Sequence, residues 1–287
     1  MTQARVQSAL KVAQGILIYT SNDLHLMQYV GPPYGAGIVQ IGAGCGPLSL
    51  RAPSSIGSMA VWPSLQQWWL FSGTVQPLAC AEKDWFFSIL NLGGHGKLFG
   101  AINPTFSEMT WYFPDESSID CNRTITYNYG ATPPIWMIGT TDRTGADRLG
   151  VLDHPILGGP DGTQASLYFH EFGWLDNGVS RAANGEIYIE SGAIVLGEGD
   201  QRFAVTQIVF DAATSTSDGT LPFGVRLFAR EQPNGVEIDS GLHTVIHDGL
   251  MDIRISGRSM RMRIEATQDV PFAVGRTRLV LVPAGRR

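Results

Sequence analysis

Short runs in which apolar and polar residues alternate follow one another along most of the chain. The clearest set lies between Phe106 and Gly139. Residues 109–113 and 125–129 alternate at period two and are rich in aromatic and β-branched residues, and an apolar run follows at 135–138. This pattern predicts strands rather than helices. The turn-forming residues between the runs predict an antiparallel meander, which is one blade of a β-propeller or one sheet of a sandwich.

The same alternation appears on both sides of this stretch. Residues 16–20 and 24–30 predict a hairpin, and residues 166–170 predict a further strand. Hairpin groups recur roughly every 40 to 50 residues, which is the scale of propeller blades. Residues 80–92 depart from the pattern, because their apolar positions have helical spacing and Gly93 follows them. They predict one short helix.

The pattern of apolar and polar residues changes at residues 176–185, which are rich in turn-forming residues. Beyond them the alternation is cleaner and predicts a series of strands typical of a β-sandwich. We therefore expect an all-β chain in two parts. Residues 1–180 form a partial, β-propeller-like set of blades, and residues 181–287 form a C-terminal β-sandwich.

Charge is distributed unevenly along the chain. Residues 251–287 contain eight Arg and three acidic residues, a formal charge of +5, whereas the remaining residues carry −11. In this basic segment Arg254, Arg261 and Arg263 alternate with apolar residues, so strands there would present the Arg outward. Such a face is either solvated or a docking surface for an acidic partner or a neighbouring subunit. DNA binding is not expected, because the whole protein has a net charge of −6.

The sequence indicates neither secretion nor a membrane segment. The first residues lack the apolar core of a secretion signal, and no apolar run approaches the roughly 18 residues needed to cross a membrane. The cysteines Cys45, Cys80 and Cys121 are far apart and form no CxxC pair. Free thiols in a reducing cytoplasm are therefore expected, and no zinc site or other cofactor is predicted.

Two pairs of residues, each with at least one histidine, are the candidates for metal binding. His170-Glu171 lacks the second histidine that a zinc-protease helix requires, because Trp174 occupies that position. His243 and His247 are four apart on a predicted strand and turn, where they would be about 13 Å from each other. We expect no metal site from either pair.

Two further features suit carbohydrate chemistry. Asp115 and Glu116 are a candidate carboxylate pair for glycoside hydrolysis, although a loop rich in Asp, Glu and Ser is more commonly solvated. Five tryptophans are candidates for lining a sugar-binding groove, although in sheet proteins most Trp side chains fill the core. They are Trp68, Trp69, Trp111, Trp136 and Trp174. No nucleophile motif accompanies these residues, so an enzyme is not expected.

Several short runs, taken in their order along the chain, resemble a known family. The runs are MQYVGPP, GCGPLS, VQPL, SEMTWYFP, YNYG, LYFHEFG, IESG, LGEGD, ISGR and RLVLVPAGRR. They resemble the propeller-bearing virion structural proteins of short-tailed bacteriophages, of the tail nozzle and packaged-DNA stabilisation type, over nearly the whole chain. Relatives usually carry a longer region ahead of the residue at which this chain starts. The number of blades is therefore left open.

This resemblance implies a structural role in the virion tail, after assembly in the host cytoplasm. The chain would form part of a ring, hexameric in the tail nozzles, and would contact other virion proteins such as the portal or adaptor ring and a tail fibre or spike. Genomic DNA would pass through without sequence-specific binding.

Within that role, several Arg of the basic segment are candidates for contacts across a subunit or partner interface. They are Arg258, Arg261, Arg263, Arg276 and Arg278. Two alternative functions remain open at this stage. One is a carbohydrate- or receptor-binding propeller module, and the other is a propeller glycosidase.

Overall fold

The computed structural model separates into two compact units, Met1–Phe172 and Gly173–Arg287. It describes residues 4–146, 155–161, 163–175, 178–195, 199, 201–214, 221–232, 234–244 and 250–285. Strands hold 55% of the residues and helices 4%, which confirms the all-β class. His247 and, apart from Gly199, the run LGEGD lie outside the described residues. The boundary predicted after residue 180 stays a prediction.

Three four-stranded antiparallel sheets form most of the first unit, and each is a meander in sequence order. The first sheet consists of β1 (Val6–Val12), β2 (Gly15–Thr20), β3 (Asp23–Gly31) and β4 (Gly35–Ala43). The second consists of β5 (Ser54–Ile56), β6 (Met59–Ser64), β7 (Gln67–Phe71) and β8 (Val75–Leu78). Helix α1 (Lys83–Ile89) and a 3₁₀ turn (His95–Lys97) follow. The third sheet consists of β9 (Phe99–Asn103), β10 (Glu108–Phe113), β11 (Arg123–Asn128) and β12 (Ile135–Thr140). A fourth, three-stranded sheet contains β13 (Gly145–Ala146), β14 (Ile156–Asp161) and β15 (Gln164–Phe169).

The sheets of the first unit pack on one another in sequence order. Alternation along β6 directs Trp62 into the core shared with the first sheet and Val61 into the core shared with the third. Tyr112 and Leu157 lie in a smaller core between the third and fourth sheets. The first strands also adjoin in order, β1 with β5, β5 with β9 and β9 with β13. Serial packing of this kind is typical of propeller blades.

Gly100 on β9 marks a close approach between the second and third sheets. A Cβ there would lie 2.0 Å from Ser54 Oγ and 3.0 Å from the Ala52 carbonyl oxygen. The backbone N–H of Gly100 donates to the Arg51 carbonyl oxygen at 2.9 Å. The second and third sheets therefore meet with no room for a side chain at this position.

The first and fourth sheets lie at the two ends of this series of packed sheets, and both expose apolar side chains. On the first sheet, strand alternation places Ile16, Met27 and Ile38 opposite the buried core, and Ile38 is 59% exposed. On the fourth sheet, Leu167 and Phe169 of β15 are 75% and 57% exposed. We call these surfaces the first and second end faces. They are apolar surfaces that no described part of the first unit covers.

The described residues of the second unit form eleven strands. They are β16 (Tyr188–Glu190), β17 (Ile194–Val195), β18 (Phe203–Val209), β19 (Ala212–Thr214), β20 (Phe223–Arg230), β21 (Ile238–Asp239), β22 (His243–Thr244), β23 (Leu250–Gly257), β24 (Ser259–Ala266), β25 (Phe272–Val274) and β26 (Arg278–Pro283). A six-stranded sheet runs β16-β24-β20-β21, with β17 also on β24 and β22 on β20. A three-stranded sheet runs β23-β18-β26, and β19 pairs with β25.

One core joins the two larger sheets of the second unit. Val225 and Leu227 from β20 pack with Val205 from β18 and Ile253 from β23. Burial alternates residue by residue along β23, as the sequence predicts. Two antiparallel sheets that share one core form a β-sandwich, so this part of the fold prediction is confirmed.

Candidate functional site

The six-stranded sheet of the second unit carries its charged residues on the face opposite the core. We call this surface the charged face. Its members are Glu190 on β16, Arg261, Arg263 and Glu265 on β24, Arg226 and Arg230 on β20, Asp239 on β21 and Glu237 just before β21, which pairs with Arg230 at 3.2 Å. These described residues supply four guanidinium groups and four carboxylates.

Strand alternation and register explain how these residues meet. Met260 and Met262 of β24 pack in the core, so the residues that follow each of them, Arg261 and Arg263, point away from it. The register places Glu190 and Arg226 directly beside Arg263, one on each neighbouring strand. Residues far apart in sequence are thereby brought within hydrogen-bonding distance.

The side chains of the charged face form a continuous ion-pair network. Arg263 Nε lies 2.9 Å from Glu190 Oε2. Arg261 Nη2 donates to both carboxylate oxygens of Glu237 at 2.8 Å, and Arg261 Nη1 donates to Glu190. These bidentate, charge-assisted contacts hold Arg261 in one orientation.

Arg226 extends the network towards β21. Its Nη1 lies 2.7 Å from Asp239 Oδ2 and its Nε lies 3.1 Å from Glu265 Oε1. The hydrogen bond from Arg226 to Asp239 is the main reason that the pKa of Arg226 is raised. Burial alone would raise the pKa of Asp239, but the Gly241 backbone N–H and Arg226 together lower it. Both groups therefore stay charged at neutral pH.

Aromatic rings lie beneath two of the guanidinium groups. Arg263 stacks on Tyr188 with 3.8 Å between the guanidinium carbon and the ring centroid, and Arg261 lies 5.1 Å from the Phe228 ring centroid. An open cleft of about 520 Å³ follows this surface. Its lining consists of Gly185, Glu190, Arg226, Phe228, Asp239, Arg261, Arg263 and Glu265. Three positive and three negative side chains thus line the cleft, and their formal charges cancel.

The structure brings together two of the five Arg predicted as interface residues. Arg261 and Arg263 pair with acidic residues of their own unit. Arg258 lies in the turn between β23 and β24, where its backbone N–H donates to the Arg230 carbonyl oxygen. Arg276 and Arg278 are exposed, before and at the start of β26 in the other sheet. The interface role of all five stays a prediction.

Asp115 differs from the solvated loop residue that the sequence suggests. It is 5% exposed, and its Oδ1 accepts hydrogen bonds from the backbone N–H and the hydroxyl of Ser117. Arg123 Nε donates to its Oδ2 at 2.8 Å. The Ser117 hydroxyl, the Asn122 side chain and Arg123, in that order, lower the pKa of Asp115 well below its usual value. Asp115 is therefore a buried anchor for the loop between β10 and β11, whereas Glu116 is exposed.

A second group of carboxylates lies between the third and fourth sheets. Glu108 and Glu171 line a small cavity of about 50 Å³ together with Tyr112 and His170. Burial, and then the charge of Glu171, raise the pKa of Glu108. Arg143 Nε donates to His170 Nε2 at 2.8 Å. A cavity of this volume has room for water molecules and not for a sugar ring.

Most of the tryptophans proposed for a sugar-binding groove fill the core. Trp68 and Trp111 are fully buried with ring centroids 4.7 Å apart. Trp136 packs on Trp68 with 4.8 Å between the ring centroids. Trp69 packs against the core that the first and second sheets share. Trp174 is 59% exposed. The five side chains therefore do not form one aromatic groove.

A metal site needs several ligands brought together, and a membrane span needs a long apolar helix. Among the described residues, no group of three His, Cys, Asp or Glu side chains is placed to hold a metal ion. Nor does this part of the chain contain a helix with the length and apolar character needed to span a membrane.

Comparisons with known proteins add little to this geometry. No family model and no curated protein matches the sequence. A solved structure of an exo-β-1,3-galactanase from Phanerochaete chrysosporium with galactose is 10% identical. The match covers 93% of this chain and 77% of that chain, with a TM-score of 0.24. This comparison contradicts the prediction that the chain is not an enzyme, and we withdraw that prediction. A TM-score this low carries no argument for any particular activity.

Proposed function

We propose that the chain is a structural component of a bacteriophage tail, in the nozzle or hub ring that surrounds the DNA conduit. The ordered resemblance of ten short runs carries this proposal. Nine of the runs lie wholly or largely in described elements and turns: SEMTWYFP, for example, covers β10, and ISGR covers the turn from β23 to β24. The runs therefore follow the framework of both units.

The exposed end faces support a role in an assembly. An apolar surface such as Ile16, Met27 and Ile38 is costly in water and commonly marks a protein–protein contact. The two end faces have different residues, Leu167 and Phe169 forming the second. Contacts between different surfaces of identical subunits are heterologous, and a ring closes through such contacts.

The charge distribution suits a conduit for DNA. Residues 1–250 carry a net charge of −11. Like charge along the path would prevent the phosphate backbone from adhering as the genome passes. The partners in this proposal are the portal or adaptor ring, a tail fibre or spike, and further copies of the chain.

An in-frame deletion of the gene in its phage tests the proposal. We expect particles that lack tail density below the portal and that lose infectivity, as seen by cryo-electron microscopy and plaque counts. Complementation with Ile38→Asp should fail to restore tails, whereas the matched change Gln28→Asp, on the same hairpin, should restore them. Normal tails and normal infectivity in the deletion strain would overturn the proposal.

A further inference from the structure

We propose that the charged face of the second unit binds a neutral glycan in its open cleft. This inference goes beyond the structural role proposed above and does not depend on it. It is carried by the ion-pair network, the aromatic rings under it and the dimensions of the cleft.

The network fixes the polar groups of the cleft before any ligand arrives. Glu190 is held by both Arg261 and Arg263, and Glu265 is held by Arg226 and Arg263. Side chains that are already ordered lose little conformational entropy when a ligand binds. A sugar needs such fixed donors and acceptors, because its hydroxyl groups are otherwise well solvated by water.

Hydrogen-bonding capacity remains after the ion pairs are formed. A guanidinium group has five N–H donors. Arg263 uses Nε and Nη1, and Arg226 likewise uses Nε and Nη1, towards the described residues. The Nη2 groups of both side chains and the remaining carboxylate lone pairs can therefore bind hydroxyl groups without breaking an ion pair.

The balance of charge selects against an ionic ligand. The lining contains Arg226, Arg261 and Arg263 against Glu190, Asp239 and Glu265. An anion would compete with the carboxylates for the guanidinium groups, and a cation would compete with the guanidinium groups for the carboxylates. A neutral polyhydroxyl compound can bridge both without displacing either.

The cleft volume also fits a sugar. The Phe228 ring lies behind the guanidinium groups of Arg261 and Arg263, with 5.1 and 5.7 Å from the guanidinium carbons to the ring centroid, and so helps to hold these donors in place along the cleft. The volume of about 520 Å³ lies within the range of about 300–1,000 Å³ typical of small-molecule sites. A short oligosaccharide is the class of ligand that matches these dimensions.

A glycan array that carries neutral, sialylated and sulfated oligosaccharides, probed with the full-length chain, tests this inference. We expect binding to neutral glycans, followed by at least a tenfold weaker affinity in Asp239→Asn and in Arg226→Gln. The matched control is Arg202→Gln, which removes the Arg202–Glu231 ion pair elsewhere in the same unit and should bind as the wild type does.

Two-dimensional NMR of the wild-type protein keeps the test decisive if a variant unfolds. Addition of the glycan identified on the array should shift the ring resonances of Phe228, which lines the cleft. Absence of binding to every neutral glycan, binding to sialylated or sulfated glycans alone, or unchanged ring resonances would each overturn the inference. Loss of tail assembly without loss of glycan binding would affect the proposed function alone.

Discussion

Trp111 Nε1 donates a hydrogen bond to the Ala52 carbonyl oxygen at 2.7 Å, although 59 residues separate the two in sequence. The bond ties β10 of the third sheet to the segment that leads into β5 of the second. Both partners are fully buried. The same arrangement recurs one sheet earlier, where Trp62 Nε1 donates to the Cys45 carbonyl oxygen at 2.7 Å. Indole groups thus satisfy buried carbonyl oxygens at successive sheet junctions.

Trp111→Phe should lower the free energy of unfolding by about 1–3 kcal/mol, because the Ala52 carbonyl oxygen is left buried without its donor. Urea unfolding followed by circular dichroism measures the change. Trp174→Phe is the control, since Trp174 is exposed and its replacement should alter stability by less than about 0.5 kcal/mol. Equal effects for the two variants would contradict this account.

Gly100→Ala should destabilise the first unit by roughly 1–3 kcal/mol, since the new methyl group would overlap Ser54 Oγ and press on the Ala52 carbonyl oxygen. Gly96→Ala is a matched change on the preceding turn, where a Cβ would meet nothing within 4 Å. Thermal unfolding of both variants compares them directly. A Gly100→Ala protein as stable as the wild type would show that the two sheets can separate at no cost.

Asp115 predicts a defined dependence on pH. Its folded-state pKa is depressed, so the stability it contributes is complete above its unfolded pKa of about 3.9 and is lost as pH falls towards the folded value. Asp115→Asn should cost roughly 1.5–3 kcal/mol at pH 7, because an amide cannot accept from both Ser117 and Arg123. Urea unfolding at pH 7 and near pH 2 should show this difference shrinking in acid. Glu116→Gln should have no effect at either pH.

The Arg of the basic segment should separate into two classes. Arg261→Gln should lower the stability of the second unit by about 1–3 kcal/mol, because Glu190 and Glu237 lose a charged donor. Arg276→Glu with Arg278→Glu should leave the melting temperature nearly unchanged, since both side chains are exposed. If these two residues contact a neighbouring subunit, the double variant should instead reduce tail assembly. Normal assembly with this variant would remove Arg276 and Arg278 from the interface.

The thiols should be unreactive in the folded protein. Burial raises the pKa of Cys45 and Cys121 to about 11 and that of Cys80 to about 12. At pH 8 almost no thiolate is present, and the thiolate is the reactive form. Ellman's reagent should therefore react slowly with the native chain and rapidly, with all three thiols, in urea. Fast reaction of a thiol in the native state would contradict the burial of that side chain.

Local patterns predicted the strands because alternation and burial share the same period. Residues 109–113 and 125–129 pair as expected, with Trp111 opposite Ile125. The predicted helix over residues 80–92 is confirmed at its centre, where α1 spans Lys83–Ile89. These elements depend on neighbouring residues, so the sequence contains enough information to place them.

The same local patterns could not predict contacts between residues that are far apart in the sequence. Alternation predicted that Arg261 and Arg263 would face away from the core, but their partner Glu190 lies more than 70 residues earlier. Asp115 was assigned to a solvated loop, because composition does not reveal that Arg123 and Ser117 close around it. The acidic residue in IESG was the available signal for the charged face, and only the strand register gives it meaning.

The serial packing of the first unit has a consequence for how it loses structure. Each of the first three cores joins successive sheets, so stability there resembles a sum of nearest-neighbour terms, as in repeat proteins. Fraying of the fourth sheet removes a single small junction and leaves the others in place. Disruption of β5–β8 removes the two larger cores at once, whereas disruption of β9–β12 removes one larger and one smaller core. Damage to the second sheet should therefore cost the first unit the most structure and spread in both directions along the chain.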